Sequence, residues 1–241
     1  MKVMVDTHIH TLASGHAYNT IREMARMAAE KGLEGLAITE HAPEMPGSCH
    51  LFYFQNLKVV PRELYGVRLL MGVELNIMDE AGTVDVTQNW LKQMDIAVAS
   101  IHTPCYGKSK GKDLNTQAYL NVMKNELVDI IGHPDDGRFE VDYEALVENA
   151  KLTGTLLEVN NSSLRPDGFR VDTYKNDLDM LKLCKKCGTM ITLGSDAHVD
   201  IDIANTKYSS AVLKEADFPE KLIANTSFDK LKSVLKRFHY S

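Results

Sequence analysis

The sequence predicts one α/β domain in which seven strands alternate with helices. Three observations predict it. Short apolar, β-branched runs alternate with longer amphipathic runs along the chain. Glycines and capping residues punctuate the amphipathic runs where helices would stop and start. Six of the seven apolar runs lead into a histidine, glutamate or aspartate at the same end. Closure as a barrel suits such units, because barrel enzymes gather reactive groups at the C-terminal ends of their strands. An open doubly wound sheet is the alternative.

The first strand is expected at Val3–Asp6, followed by a helix at Ile21–Lys31 that Thr20 caps and Gly32 stops. The second, Gly35–Thr39, precedes a weaker helical pattern near Gln55–Leu64. The third, Arg68–Glu74, leads to a short hairpin arm at Ala81–Val86 and a helix at Gln88–Met94. The fourth, Ile96–Ile101, precedes a helix at Thr116–Glu126. The fifth, Val128–Gly132, precedes Tyr143–Thr153, capped by Asp142 and stopped by Gly154. The sixth, Thr155–Val159, precedes Asp172–Cys187, stopped by Gly188, and the seventh is Met190–Gly194. Helices near Lys207–Ala216 and Phe228–Phe238 make residues 205–241 a C-terminal segment expected to pack on the barrel. No linker, low-complexity stretch or repeat interrupts the chain, so 1–241 reads as one domain.

Composition narrows the function. At 44% hydrophobic and 25% charged residues, an ordinary globular core is expected. A net charge of −6 argues against extensive nucleic-acid binding, which needs a basic face. No run reaches the roughly 18 apolar residues of a membrane span, and the N-terminus turns polar too soon for a signal peptide. Four sparse cysteines read as reduced, in a cytoplasmic protein. Cys184 and Cys187 form a C-x-x-C, but inside a helical pattern, and read as structural. No surface stripe marks an assembly interface, so a homo-oligomer stays open.

The strand ends carry the chemistry. His8 and His10 follow the first strand and His41 the second; the third ends in Glu74. His102 and His133 follow the fourth and fifth, Asn160 and Asn161 the sixth, Asp196 and His198 the seventh. A lone histidine at such a place reads as a hydrogen-bonded core residue, but six coincidences do not. Histidines and carboxylates crowded at one barrel mouth are costly without cations. Alternation in Asp6-Thr7-His8-Ile9-His10 places both imidazoles on one side, a grip for a metal, with Asp6 beside them to orient one. His16 lies in the following loop, where it can fold back over the pocket.

The runs DTHIHT, SGHA, ITEHAP, GVELNI, ASIHTP, IGHPDD and LGSDAH resemble, in order and spacing, the motifs of the polymerase and histidinol phosphatase (PHP) family. EVNNSS resembles its YcdX-type phosphatase branch. The likeness spans residues 3–200. It implies a distorted, TIM-like (β/α)7 barrel holding three divalent metal ions. His8, His10, Glu74 and Asp196 would hold one; Glu74, His102 and His133 a second, with Glu74 bridging; His16, His41 and His198 the third. Glu40 departs from the pattern, since relatives often have aspartate before the histidine.

The resemblance therefore implies a metal-dependent phosphoesterase that cleaves a phosphomonoester, with a metal-bridging hydroxide as nucleophile. Zinc is expected first; imidazole-rich sites with carboxylate bridges also accept manganese or iron. Asp196, His198 and Glu74 are the catalytic candidates. The partner is a small phosphorylated substrate, for which Arg165 is the candidate guanidinium. Asn160 and Asn161 donate to substrate or cap the turn, and Arg138 reads as surface. The alternatives are a histidinol-phosphate phosphatase, a phosphodiesterase or nuclease, and a metal-stabilised binding module without turnover. His50 reads as a loop residue, and His239, near the chain end, as uninvolved. Met24, Met27, Phe52, Tyr53 and Phe54 read as core or pocket wall, and Lys108, Lys110 and Lys112 as a solvated loop.

Overall fold

The computed structural model describes residues 2–238, so the expectation for His239 lies outside the described residues. Its strands are β1 (Val5–Ile9), β2 (Gly35–Ile38), β3 (Glu63–Leu64), β4 (Val67–Asn76), β5 (Ile96–Ser100), β6 (Ile130–Ile131), β7 (Leu156–Asn160) and β8 (Ile191–Gly194). Seven of them pair in parallel in the order β1-β2-β4-β5-β6-β7-β8, and β3 pairs antiparallel on β4. Each β-to-β crossover needs a helix or a long connection, which the alternation in sequence supplies. The helices are α1 (Ile21–Glu30), α2 (Leu51–Asn56), α3 (Gln88–Leu91), α4 (Thr103–Tyr106), α5 (Lys112–Val122), α6 (Tyr143–Thr153), α7 (Thr173–Cys187), α8 (Ser209–Glu215) and α9 (Phe228–Val234).

The barrel closes between β8 and β1, not through a full ladder but through a few bonds. His10 N donates to Ala197 O and Asp196 N to His8 O, each at 2.9 Å. Lower down, the buried Asn225 takes the place of a ladder. Its amide donates to Val5 O and Leu193 O, both at 2.8 Å, and its oxygen accepts from Leu193 N at 3.1 Å.

Alternation along the strands divides two apolar regions. Outward residues such as Leu69, Met71, Val73 and Leu75 of β4 pack under the helices. Inward residues Val5, Ala37, Leu70, Val98, Ile130 and Leu156 fill the lower barrel, plugged by Phe228, Leu231 and Leu235 of the C-terminal segment. With its lower half sealed, the barrel leaves only the upper end, where the strands finish, for polar groups.

Several boundaries differ from expectation, each for a local reason. The Gln55–Leu64 pattern gives α2 and a 3-10 turn, then β3, because Pro61 cannot continue a helix. Tyr65 and Gly66, with φ of 55° and 77°, then turn β3 into β4. His50 starts α2 early: its Nδ1 accepts from Phe52 N at 3.2 Å, an N-cap role consistent with a plain loop residue. Helix α5 starts and ends four residues ahead of Thr116–Glu126. The Ala81–Val86 arm reduces to one bridge, Ile77 with Val84. The last helix breaks at Leu235, whose ψ of 129° is extended. Thr20, with Glu23 reciprocating, and Asp142 cap α1 and α6 as expected. All four cysteines are free thiols, with Cys184 buried in α7. No described helix is long and apolar enough to cross a membrane.

Candidate metal centre

Register delivers the side chains. The pairing of β1 with β2 shifts between Asp6 and Ile9, a bulge that changes which face each residue takes. Val5 points into the lower barrel and Ile9 toward the helices, so His8 and His10 both reach the barrel mouth. The same bulge parts them from Asp6. The expectation that Asp6 orients an imidazole is corrected: its carboxylate accepts backbone N–H groups from Ala204 at 2.7 Å, Ser195 at 3.1 Å and His8 at 3.4 Å. Strand β4 alternates without interruption, bringing Glu74 inward two turns of the pleat above Leu70. His133 and Asp196 hold φ of 30° and 54°, left-handed values that cost a non-glycine residue about 1–3 kcal/mol and concentrate at functional sites.

All nine expected residues meet around Glu74 and Asp196. Glu74 Oε1 lies 3.0 Å from His133 Nε2, 3.2 Å from His102 Nε2 and 3.4 Å from His8 Nε2. Glu74 Oε2 lies 2.6 Å from His41 Nδ1 and 3.5 Å from His10 Nε2. Asp196 Oδ1 lies 3.3 Å from His10 Nε2 and 3.6 Å from His198 Nδ1. His16 Nε2 completes the ring, 3.2 Å from His41 Nε2.

The donors fit metal ions. At a metal–nitrogen bond of about 2.0–2.1 Å, two ligands of one tetrahedral ion stand about 3.3 Å apart, the spacing that recurs here. Three groups of atoms close enough to share an ion are His8 with His10 and Glu74, His41 with Glu74 and His102, and His10 with His41 and His198. His41 thus joins two groups rather than only the one the resemblance implied. The buried His41 Nδ1, Glu74 Oε2 and His133 Nδ1 have no hydrogen-bond partner. His41 Nδ1 and Glu74 Oε2 are close, yet lack the angles of a hydrogen bond. Burial would raise the Glu74 carboxyl, but His102, His8 and His41 overcome it and hold it well below the ordinary value. Asp196 is likewise held down against burial, by His8, His10, His198 and Arg170. Burial and the neighbouring His41 push His10 well below its ordinary value, into the neutral form that ligates.

The PHP domain model matches residues 6–163, which carry seven of the nine clustered side chains. The chain belongs to the PHP domain family. A probable phosphatase from Thermoanaerobacter sp. (strain X514) is 44% identical over 236 residues, covering 98% of this chain and 96% of the relative. One from Clostridium novyi (strain NT) is 44% identical with the same coverage. The barrel also resembles the crystal structure of histidinol phosphate phosphatase from Lactococcus lactis complexed with zinc, L-histidinol and phosphate. That likeness has a TM-score of 0.63 over 91% of this chain and 95% of the other. At 20% identity it concerns the fold alone.

Around the cluster, this PHP domain holds residues the sequence reading missed. Glu158 of β7 is fully buried, and its Oε1 accepts from His8 Nδ1 at 2.8 Å. Gly194 faces this pair, and a Cβ there would collide with the Glu158 carboxylate. His102 Nδ1 meets Asn76 Oδ1 at 2.8 Å, and His10 Nδ1 meets Ser14 Oγ at 3.0 Å. His8, His10 and His102 therefore offer Nε2 to the centre, as their outer nitrogens are engaged.

The cluster opens into a cavity of about 600 Å³ walled in part by Arg138, Arg165, Arg170, Phe169 and Ser163. Arg170, also missed, is half-buried among these walls. Its guanidinium lies 2.7 Å from Ser163 Oγ and 3.4 Å from Asp196 Oδ2. Arg165 reaches the mouth but pairs with Asp167 at 3.1 Å and Asp202 at 3.6 Å, and Arg138 pairs with Asp136 at 2.6 Å. Two substrate candidates are corrected. Asn161 Oδ1 accepts from Tyr208 N and Ser209 N, heading α8, and does not line the cavity. Asn160 donates to Glu158 at 3.0 Å and Asp196 at 3.3 Å, so its amide is spent on the cluster itself. Lys110 is paired with Glu80 at 2.7 Å, as befits a solvated loop.

Proposed function

We propose that this PHP domain is a metal-dependent phosphatase acting on a small phosphomonoester. The observation that carries the reading is the convergence of seven imidazoles on Glu74 and Asp196 beneath an open cavity. The names of its relatives support the phosphatase class. His8, His10, Glu74 and Asp196 would hold one ion, Glu74, His102 and His133 a second, and His16, His41 and His198 a third, with zinc the first choice. When bound, such ions supply hydroxide near neutral pH for in-line attack and neutralise the phosphate oxygens.

The chain's own residues do the rest. Among the described residues, Arg170 is the arginine in contact with one of the nine, through Asp196. Its guanidinium binds the non-bridging oxygens of the ester, positioned by Ser163. Asp196 keeps Oδ2 toward Arg170 and Oδ1 toward His10 and His198, which sets charge on both sides of the reacting group. His198, half-buried beside the cavity, keeps its Nδ1 on the backbone oxygen of Asp196 at 3.0 Å and so turns Nε2 toward the third ion. Arg165 meets the outer part of the substrate at the mouth.

Elemental analysis of protein purified without added metal tests the reading, followed by assays with p-nitrophenyl phosphate and bis-p-nitrophenyl phosphate. About three ions per chain and chelator-sensitive hydrolysis of the monoester are expected. Preference for the diester would replace the monoesterase reading with a phosphodiesterase. Metal-loaded protein inert toward both would end it.

A further inference from the structure

Among the imidazoles of the cluster, His10 is held differently from its neighbours. The outer nitrogens of His8 and His102 face groups that only accept: a carboxylate oxygen of Glu158 and the amide oxygen of Asn76. Those acceptors settle which nitrogen bears the proton. The outer nitrogen of His10 faces the hydroxyl of Ser14 at 3.0 Å. A hydroxyl both donates and accepts. On its own it leaves the ring undecided.

We infer that Glu40 is a positioning residue that acts through Ser14 to decide which nitrogen of His10 faces the cluster. Glu40 is fully buried. Its Oε2 accepts from Thr11 N at 3.0 Å and Ser14 Oγ at 2.6 Å. Its Oε1 accepts from the Thr11 hydroxyl and from Tyr53 Oη at 3.3 Å. A carboxylate can only accept, so the one hydrogen of Ser14 is committed to Glu40. The Ser14 oxygen is left to accept, and it faces two groups: the backbone N–H of His41 at 3.1 Å and Nδ1 of His10. Nδ1 of His10 must then carry the proton. Its Nε2 is left as a bare lone pair, 3.3 Å from Asp196 Oδ1 and 3.5 Å from Glu74 Oε2. The opposite arrangement would aim an N–H at the centre and remove one ligand. The same hydroxyl ties the backbone of His41, so one buried carboxylate registers two of the nine residues.

The inference rests on the reading of the cluster as a metal centre, but its first test does not need the metal. In metal-free protein with 15N-labelled histidine, long-range 1H–15N spectra report the His10 tautomer, which is expected to be Nδ1–H. Glu40→Met removes the acceptors and frees the Ser14 hydrogen to turn toward His10. The expected result is the Nε2–H form and zinc affinity about 10- to 100-fold weaker by chelator competition. Glu40→Gln keeps an oxygen for Thr11 N and Ser14, while its NH2 meets hydroxyls of Thr11 and Tyr53 that can reverse. It is expected to retain the wild-type tautomer and affinity within about threefold. Ser14→Ala leaves Glu40 its other donors, covers the case in which Glu40→Met fails to fold, and is expected to lose zinc affinity about 10-fold.

An Nε2–H ring in the wild type overturns the inference. So does a Glu40→Gln variant as impaired as Glu40→Met, since charge rather than the relay would then act, or a Ser14→Ala variant that binds zinc like the wild type. Wild-type protein with Nδ1–H on His10 and no affinity for zinc would sink the metal reading and leave the relay standing.

Discussion

Glu158 Oε1 lies 2.8 Å from His8 Nδ1, and neither side chain reaches solvent. Burial would raise the Glu158 carboxyl, but His8 overcomes this and holds it below the ordinary value. Its other oxygen accepts from His133 N at 2.9 Å and Asn160 Nδ2 at 3.0 Å. In Glu158→Gln the amide oxygen stays with those two donors, so the NH2 faces His8. His8 must then accept at Nδ1 and present N–H to the centre. Zinc retained after dialysis against a chelator is expected to fall, with affinity about 10- to 100-fold weaker. Excess zinc should restore much of the hydrolysis. Wild-type zinc retention would mean that Glu158 only fills space.

The arginines of the cavity make a second contrast. Arg170 touches Asp196, whereas Arg165 is largely exposed and bound to Asp167 and Asp202. Hydrogen bonds to a charged group are worth about 1.5–3 kcal/mol, so Arg170→Gln is expected to lower kcat/KM for p-nitrophenyl phosphate about 10- to 100-fold. Arg165→Gln, at a solvent-screened pair, should change it by about threefold or less. Steady-state kinetics on both variants decides, and the reverse ranking would move the phosphate site to the mouth.

The contrast also shows what the sequence could convey. Eight of the nine clustered residues were legible because they stand at or just past a strand end, and strand ends share one rim; His16, in the loop after β1, was legible only through the motif around it. The reason first given for His8 and His10 was incomplete, since strict alternation also placed Asp6 beside them and the bulge after Asp6 moved it away. Glu158 was hidden because both faces of β7 are buried. In such a strand a charged residue interrupts an apolar run without any period to mark it. A lone glutamate in LLEVN was nevertheless a usable signal, because a buried carboxylate demands a partner. Arg170 lies ten residues past β7 in an irregular loop, where no local pattern ties a side chain to a distant pocket.

Asn225 substitutes for the missing ladder between β8 and β1. Asn225→Ala leaves Val5 O, Leu193 O and Leu193 N buried without these partners. An unsatisfied buried polar group costs about 1–3 kcal/mol, and with partial relaxation a loss of about 2–4 kcal/mol is expected in urea unfolding. The residue stands at the sealed lower half of the barrel, so kcat per folded molecule should stay unchanged. A variant of wild-type stability would show that β1 and β8 hold together without it.

Lys236 supplies a pH signature remote from the cluster. It is buried in the 3-10 turn after α9, where its Nζ donates to Met123 O at 3.0 Å and Asn125 O at 3.3 Å. Burial pushes its pKa down from 10.5 to about 8, with Asp129 and Glu126 opposing. A neutral amine still donates twice, so both bonds survive loss of the proton. Below about pH 8 the ammonium is charged in the folded and unfolded chain alike, and the full cost of burying it is present. Between about pH 8 and 10.5 the unfolded chain holds a proton that the folded one has released, so this residue's contribution to stability rises with pH. At about 1.4 kcal/mol per pH unit, the rise is on the order of 2–3 kcal/mol. Lys236→Met abolishes it. Unfolding free energies of wild type and variant, measured in urea at pH 7, 8, 9 and 10, isolate the effect as their difference, because other titrating groups cancel. The wild type should gain on the variant as pH rises. A constant difference would mean that Lys236 stays charged in the folded protein, with its cost offset by Asp129.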